Sequence, residues 1–160
     1  MSDAIDGLDA RIIALFLEEP RIGVLGASRR LEVARATVQA RLDRLGERGV
    51  IETWAPAIDP ERLGYPVTAF LTLEIRQDSG HERVSRHLAE IPEVIEASTI
   101  TGSGDLWCRV VARSNTDLQR VIDSVVDFDS VERTSTVIAL ANQLRHRVGP
   151  LVAAASRPAH

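Results

Sequence analysis

The stretch at residues 22–51, IGVLGASRRLEVARATVQARLDRLGERGVI, constrains this chain more than any other. It reads as a helix closing at Ala27 to Leu31, a tight corner at Glu32-Val33, and a second helix from Ala34 to Arg48 that Gly49 stops. In the second helix Val38, Leu42 and Leu45 recur at i, i+4 and i+7, so they share one stripe that has to face a core. The other faces carry Arg35, Gln39, Arg44 and Arg48. A helix with a buried seam and an Arg/Gln front suits the DNA major groove, whose guanine and adenine edges pair with those side chains.

Arg and Gln are also good helix formers, and an Arg-rich helical face is often only a solvated one. Local charge favours the DNA reading. Between 29 and 48 lie Arg29, Arg30, Arg35, Arg41, Arg44 and Arg48 against Glu32, Asp43 and Glu47, six against three, whereas the whole chain is -4. Phosphate attraction follows such local patches more than net charge. The expected base readers are Arg35 and Gln39, with Thr37, Arg41 and Arg44 contacting or oriented toward phosphates.

The N-terminal half resembles the DNA-binding domain of the Lrp/AsnC (feast/famine) regulators. The residues that carry the likeness are Asp6, Asp9 and Ile12, then Arg21-Ile22, Arg29-Arg30-Leu31, Thr37-Val38, Arg41, Leu45 and Gly49-Val50-Ile51. The chain departs from the family pattern at three places. Glu32 stands where a Gly is usual, Ala34 where a Ser caps the recognition helix, and Ala27-Ser28 where Leu-Ala is common. Losing the Ser cap costs roughly 1 kcal/mol of helix stability.

The remaining chain divides by period and composition. Ahead of the helix-turn-helix, Leu8, Ile12, Leu15 and Phe16 mark a packing helix with Asp6 near its positive end, ended by Pro20. Residues 50–54 are β-rich and read as the opening of a wing. Residues 55–66, with three prolines and a glycine, read as a hinge. The expected domains are therefore 1–54, the hinge 55–66, a second domain at 67–147, and a tail at 148–160 that is left without an element.

Beyond the hinge the period changes to two: Val67, Ala69, Leu71, Leu73 and Ile75 fall on one face of a strand at 67–76. A helix follows at 79–91 with Val84, Leu88 and Ile91 on one stripe. Strands at 94–101 and 106–113 flank a glycine-rich turn. A helix opened by Ser114 and Asp117 and a last strand at 131–140 complete the order βαββαβ, that of a ferredoxin-like domain. The class is α+β, a winged helix-turn-helix followed by a ferredoxin-like unit. Both helices cover one face of the sheet, so the other, in the Phe70 and Trp107 rows, needs a partner; a homodimer is the ordinary answer. The family's ligand-sensing domain has this arrangement, so the resemblance extends to Arg147.

The turn Thr101-Gly102-Ser103-Gly104-Asp105 draws attention because glycine N–H groups can receive a carboxylate and an aspartate an ammonium, both of which a free amino acid carries. A plain hairpin turn uses the same residues. The Lrp/AsnC resemblance implies an effector pocket between dimers at the matching G-x-x-D, here Gly102 and Asp105. Thr101, Gly104, Thr134 and Thr136 are candidates for the same pocket. A homodimer is the expected smallest unit, and whether dimers assemble further, up to an octamer, stays open.

Catalytic signals are few. His81 and His87 lie six apart, roughly 240° around a helix, so they cannot chelate one metal. Ser28, Ser85 and Ser98 have no adjacent His and Asp, and Cys108 sits in an apolar strand. No catalytic residue, cofactor or metal is expected. The single Cys rules out an internal disulfide, and the lack of an apolar run of about 18 residues or of a basic-then-apolar leader suggests a cytoplasmic protein. The expected function is a ligand-responsive DNA-binding transcriptional regulator. Alternatives are an Lrp-like tetrapyrrole decarboxylase and a sequence-tolerant DNA-compacting protein.

Overall fold

The computed structural model describes residues 5–76 and 81–157. The chain forms two units, one of Met1–Pro56 with Leu144–His160 and one of Ala57–Gln143. The hinge is therefore divided: Ala57 onward belongs to the second unit, where the 59–65 turn is closed by Tyr65 N–H donating to Pro60 O at 2.9 Å. The Tyr65 ring lies 5.1 Å beneath the Arg113 guanidinium.

The first unit packs α1 (Gly7–Glu18), α2 (Gly23–Leu31) and α3 (Arg35–Glu47) around Ile12, Leu15, Ala27, Leu31, Val38 and Leu42. Asp6 caps α1 by accepting from the N–H groups of Leu8 and Asp9, and the Asp9 carboxylate accepts from the Asp6 N–H, a reciprocal capping box. Glu32 adopts φ +57°, the left-handed corner where the Cβ is a burden and Gly is free of it. Ala34 precedes α3 with no side-chain cap. The helix starts instead with the Thr37 N–H donating to Ala34 O at 2.9 Å.

Two expectations change in this unit. Residues 50–54 form no strand. Their β propensity finds no partner strand, and Ile51 instead joins the trihelical core while Trp54 meets Phe16 edge-on, centroids 5.3 Å apart. The tail contains a helix, α6 (Gly149–Ala155), with a proline in its first turn. It lies against α1, where a Cβ at Gly149 would come within 3.9 Å of Leu17 Cδ1.

The second unit has β1 (Val67–Ile75), α4 (His81–Ala89), β2 (Val94–Thr99), β3 (Leu106–Ala112), α5 (Asn115–Val126) and β4 (Val131–Ile138). The expected start of α4 at 79 lies outside the described residues. The sheet order is β2-β3-β1-β4, antiparallel throughout. Ala69, Leu71, Leu73 and Ile75 of β1 meet Val84 and Leu88 of α4 and Leu118, Val121 and Val125 of α5 in one core. Ser114 caps α5 by accepting from the Asp117 N–H at 3.0 Å. The opposite face carries the stacked Phe70 and Trp107 rings, 5.4 Å apart, and neither α4 nor α5 covers it.

Candidate functional site

Burial of Val38, Leu42 and Leu45 turns Arg35 and Gln39 to solvent one helical turn apart on α3. The Gln39 amide Nε2 donates to Asp43 Oδ1 at 2.7 Å, so Asp43 is held along the helix by a neighbour four residues away. Thr37 is half-buried between these two exposed positions.

Arg41 and Arg44, expected to contact or face phosphates, pair with acids of their own unit. Asp9 is only 1% exposed; Arg44 Nη2 lies 2.9 Å from its Oδ2 and Arg41 Nη1 3.0 Å from its Oδ1. Arg41 also pairs with Asp6. A buried carboxylate without cations would be strongly unfavourable, and charge-assisted hydrogen bonds from the two guanidinium groups compensate it. Hydrogen bonding to Asp6 and then Asp9 raises the Arg41 pKa above its ordinary value. The Asp6 carboxyl is lowered in turn, first by the Asp9 N–H and next by Arg41. Arg30 pairs with Glu19. Three of the six arginines counted in the sequence are thus matched by acids of the first helix or its end, and the exposed cationic front rests on residues such as Arg29 and Arg35.

The β2–β3 turn is fastened to β1. Its Asp105 N–H donates to Leu73 O at 2.9 Å, and Asp105 Oδ2 accepts from the Ile75 N–H at 2.8 Å. Ile75 follows a register shift in the β1–β4 ladder, so the carboxylate takes a donor at the point where pairing is interrupted. Gly102 has φ +118°, and a Cβ at Gly104 would lie 2.4 Å from Thr72 Cγ2. Around this turn Glu74, Ile75, Arg76, Gly102, Ser103, Gly104, Asp105 and Glu132 line a groove of about 790 Å³. That volume suits a small metabolite.

Three of the candidate pocket residues do not line this groove. Thr101 does not line the groove. Thr134 and Thr136 stand opposite Leu73 and Leu71, whose side chains are in the core, so they point to the helix-covered side of β4. The β4 contribution is Glu132, re-aimed by the irregularity next to it. Glu74, Arg76 and Glu132 were missed; the charges closing the β1 segment were the available signal.

Elsewhere, His87 Nε2 donates to Ser124 O at 2.9 Å and its ring stacks on Phe128. Burial pushes the Cys108 thiol up to about 11, which leaves it protonated and unreactive at neutral pH. Among the described residues no group of His, Cys, Asp and Glu is placed to hold a metal ion, and no helix is long and apolar enough to cross a membrane.

A trihelical unit with an exposed Arg/Gln helix and a ferredoxin-like unit with a metabolite-sized groove define a two-domain DNA-binding regulator. Residues 5–52 match the family description winged helix-turn-helix DNA-binding, and residues 68–148 match Lrp/AsnC ligand binding domain. An uncharacterised HTH-type transcriptional regulator of Pyrococcus abyssi is 32% identical over 84% of this chain and 85% of its own. Regulatory protein AsnC of Haemophilus influenzae is 24% identical over 91% and 98%. Among solved structures, E. coli AsnC aligns with TM-score 0.83 at 26% identity, covering 91% of this chain and 99% of that one. A Neisseria meningitidis transcriptional regulator, solved as an L-Met complex, shares the fold with TM-score 0.80 at 21% identity, covering 91% and 95%. The chain belongs to the Lrp/AsnC family. It is a transcriptional regulator with a DNA-binding and a ligand-binding domain, and not a decarboxylase built on that scaffold.

Proposed function

We propose that the protein is an amino-acid-responsive regulator acting as a homodimer in the cytoplasm, where its chromosomal target lies. The groove at the β2–β3 turn carries this reading. Asp105 Oδ2 accepts from the Ile75 N–H, which leaves Oδ1 for an ammonium, with Glu74 and Glu132 beside it. The Gly102 to Gly104 backbone is open to a carboxylate. That the N. meningitidis regulator was solved with L-Met supports an amino acid over other metabolites.

In the homodimer the bare sheet faces meet and two copies of α3 address one duplex, so the operator is roughly palindromic. Arg35 and Gln39 read base edges. An effector that bridges neighbouring dimers resets the spacing of their reading helices, a coupling commonly worth ~1–3 kcal/mol and necessarily reciprocal.

The test uses the full chain, a panel of L-amino acids, thermal shift and operator binding. A ligand at 100 times its dissociation constant should add about 2.7 kcal/mol of stability. Asp105→Asn keeps an acceptor for the Ile75 N–H while removing the charge, so it should bind DNA as the parent does and lose the ligand's effect. If no amino acid moves either reading, the proposal fails.

A further inference from the structure

The uncovered sheet face has a charge at its centre. Arg109 of β3 stands opposite Phe70 of β1 on one side and Glu96 of β2 on the other. It projects away from the core because its neighbours Cys108 and Val110 are fully buried on the helix side. Arg109 is half-buried, and its Nε is closed to solvent with no hydrogen-bond partner. Glu96 is exposed, and among the described residues it makes no ion pair with Arg109 despite their facing register. Around them lie the Phe70–Trp107 stack and Val137, 62% exposed.

We infer that Arg109 forms an ion pair with Glu96 of the partner subunit, twice across a two-fold axis, and that these pairs set the register in which two sheet faces meet. The inference rests on the homodimer reading and adds to it the residues that select the partner. An isologous interface must be self-complementary: what one copy presents at a position the other must answer at the symmetry-related one. A face with one cation and one anion on adjacent strands, set among aromatic rings, meets that requirement. Packing a second apolar face over Arg109 with no acceptor would bury an uncompensated charge. Glu96 supplies the acceptor, and its own protomer does not use it for that purpose.

The experiment measures self-association of the full chain by sedimentation velocity for the parent, Arg109→Glu, Glu96→Arg and a one-to-one mixture of the two variants. Each variant alone sets like charges against each other at both symmetric positions, and its dimer dissociation constant should rise on the order of 100-fold or more. The mixture restores two opposite-charge pairs across the interface, so a heterodimer should form within about tenfold of parental affinity, which also shows that both variants fold. If instead the mixture stays monomeric while the double variant in one chain recovers, the pair lies within a protomer and the inference is overturned. Dimers of parental strength from both single variants overturn it as well. A second, milder variant, Arg109→Gln, should weaken association by at least about tenfold through an unmatched Glu96, and no weakening counts against the pair. A monomeric parent would be a different failure, that of the homodimer reading itself.

Discussion

The Arg44 guanidinium lies 2.9 Å from a carboxylate oxygen of Asp9, a residue 35 positions earlier that is 1% exposed. Arg41 reaches the same carboxylate from one turn before, so the recognition helix is clamped to α1 by an acid that also completes the α1 capping box.

Asp9→Ala removes both ion pairs and half of the capping box. The substitution removes the buried charge itself, and the two arginine side chains, 26% and 46% exposed, can regain water, so the loss should fall below the ~3–5 kcal/mol of a pair broken to leave a buried charge, at about 2–3 kcal/mol. Urea denaturation followed by helical circular dichroism measures it. A loss below about 0.5 kcal/mol would mean that the pairs contribute no more than surface ones.

Asp6 titrates below the ordinary aspartate value of 3.8, through the Asp9 N–H and Arg41. A carboxyl depressed in the folded state contributes stability above its unfolded pKa and loses it as pH falls through the folded one. The N-terminal unit should therefore weaken progressively below about pH 3.8. Asp6→Asn keeps a good cap while removing the titration, and its stability should depend less on pH in that range.

Glu32 occupies a left-handed corner, φ +57°, where a Cβ is unfavourable by roughly 1–2 kcal/mol. Gly removes that strain and gives back part of the gain as unfolded-state entropy, so Glu32→Gly should stabilise by about 0.5–1 kcal/mol. Glu32→Val should destabilise. The midpoint of thermal unfolding distinguishes the three chains.

Gly104→Ala places a Cβ 2.4 Å from Thr72 Cγ2 and 3.2 Å from Leu73 O. Overpacking of that kind costs about 1–3 kcal/mol. Thr72→Ser in the same chain removes the nearest atom and should recover part of the loss. Full stability of Gly104→Ala alone would show that the turn stands further from β1 than described.

Arg35→Ala should lower discrimination between operator sequences by ~1–3 kcal/mol per lost bidentate base contact. A uniform loss across all sequences, with a smaller salt slope, would assign Arg35 to phosphate instead. Competition gel shifts at two salt concentrations separate the outcomes.

Much of this architecture can be read from periodicity. The alternation of Val67 to Ile75, the 3.6-residue stripe of Val38, Leu42 and Leu45, and the Ser114 cap are local signals, and they placed β1, α3 and α5. What was not legible depends on distant partners. The sequence shows Arg41 and Arg44 as cations but not that Asp6 and Asp9 come to meet them. It shows Asp105 as a turn residue but not that Ile75, thirty positions away, offers it an N–H. Alternation put Thr134 and Thr136 on a common face without saying which, and register with Leu73 and Leu71 decided it. In α6 the signal was present, a proline at the first turn followed by Leu-Val-Ala-Ala-Ala, but it lay beyond the family resemblance.

Because α6 returns to α1, the second unit is inserted into the first like a guest in a host, with an outgoing and an incoming connection. Its first and last strands run side by side: β1 and β4 are paired neighbours, and the Ala139 N–H donates to Thr68 O at 2.9 Å. One protease nick in either connection therefore leaves the halves covalently joined by the other, and a label attached on α6 travels with the DNA-reading half rather than with the half that binds ligand.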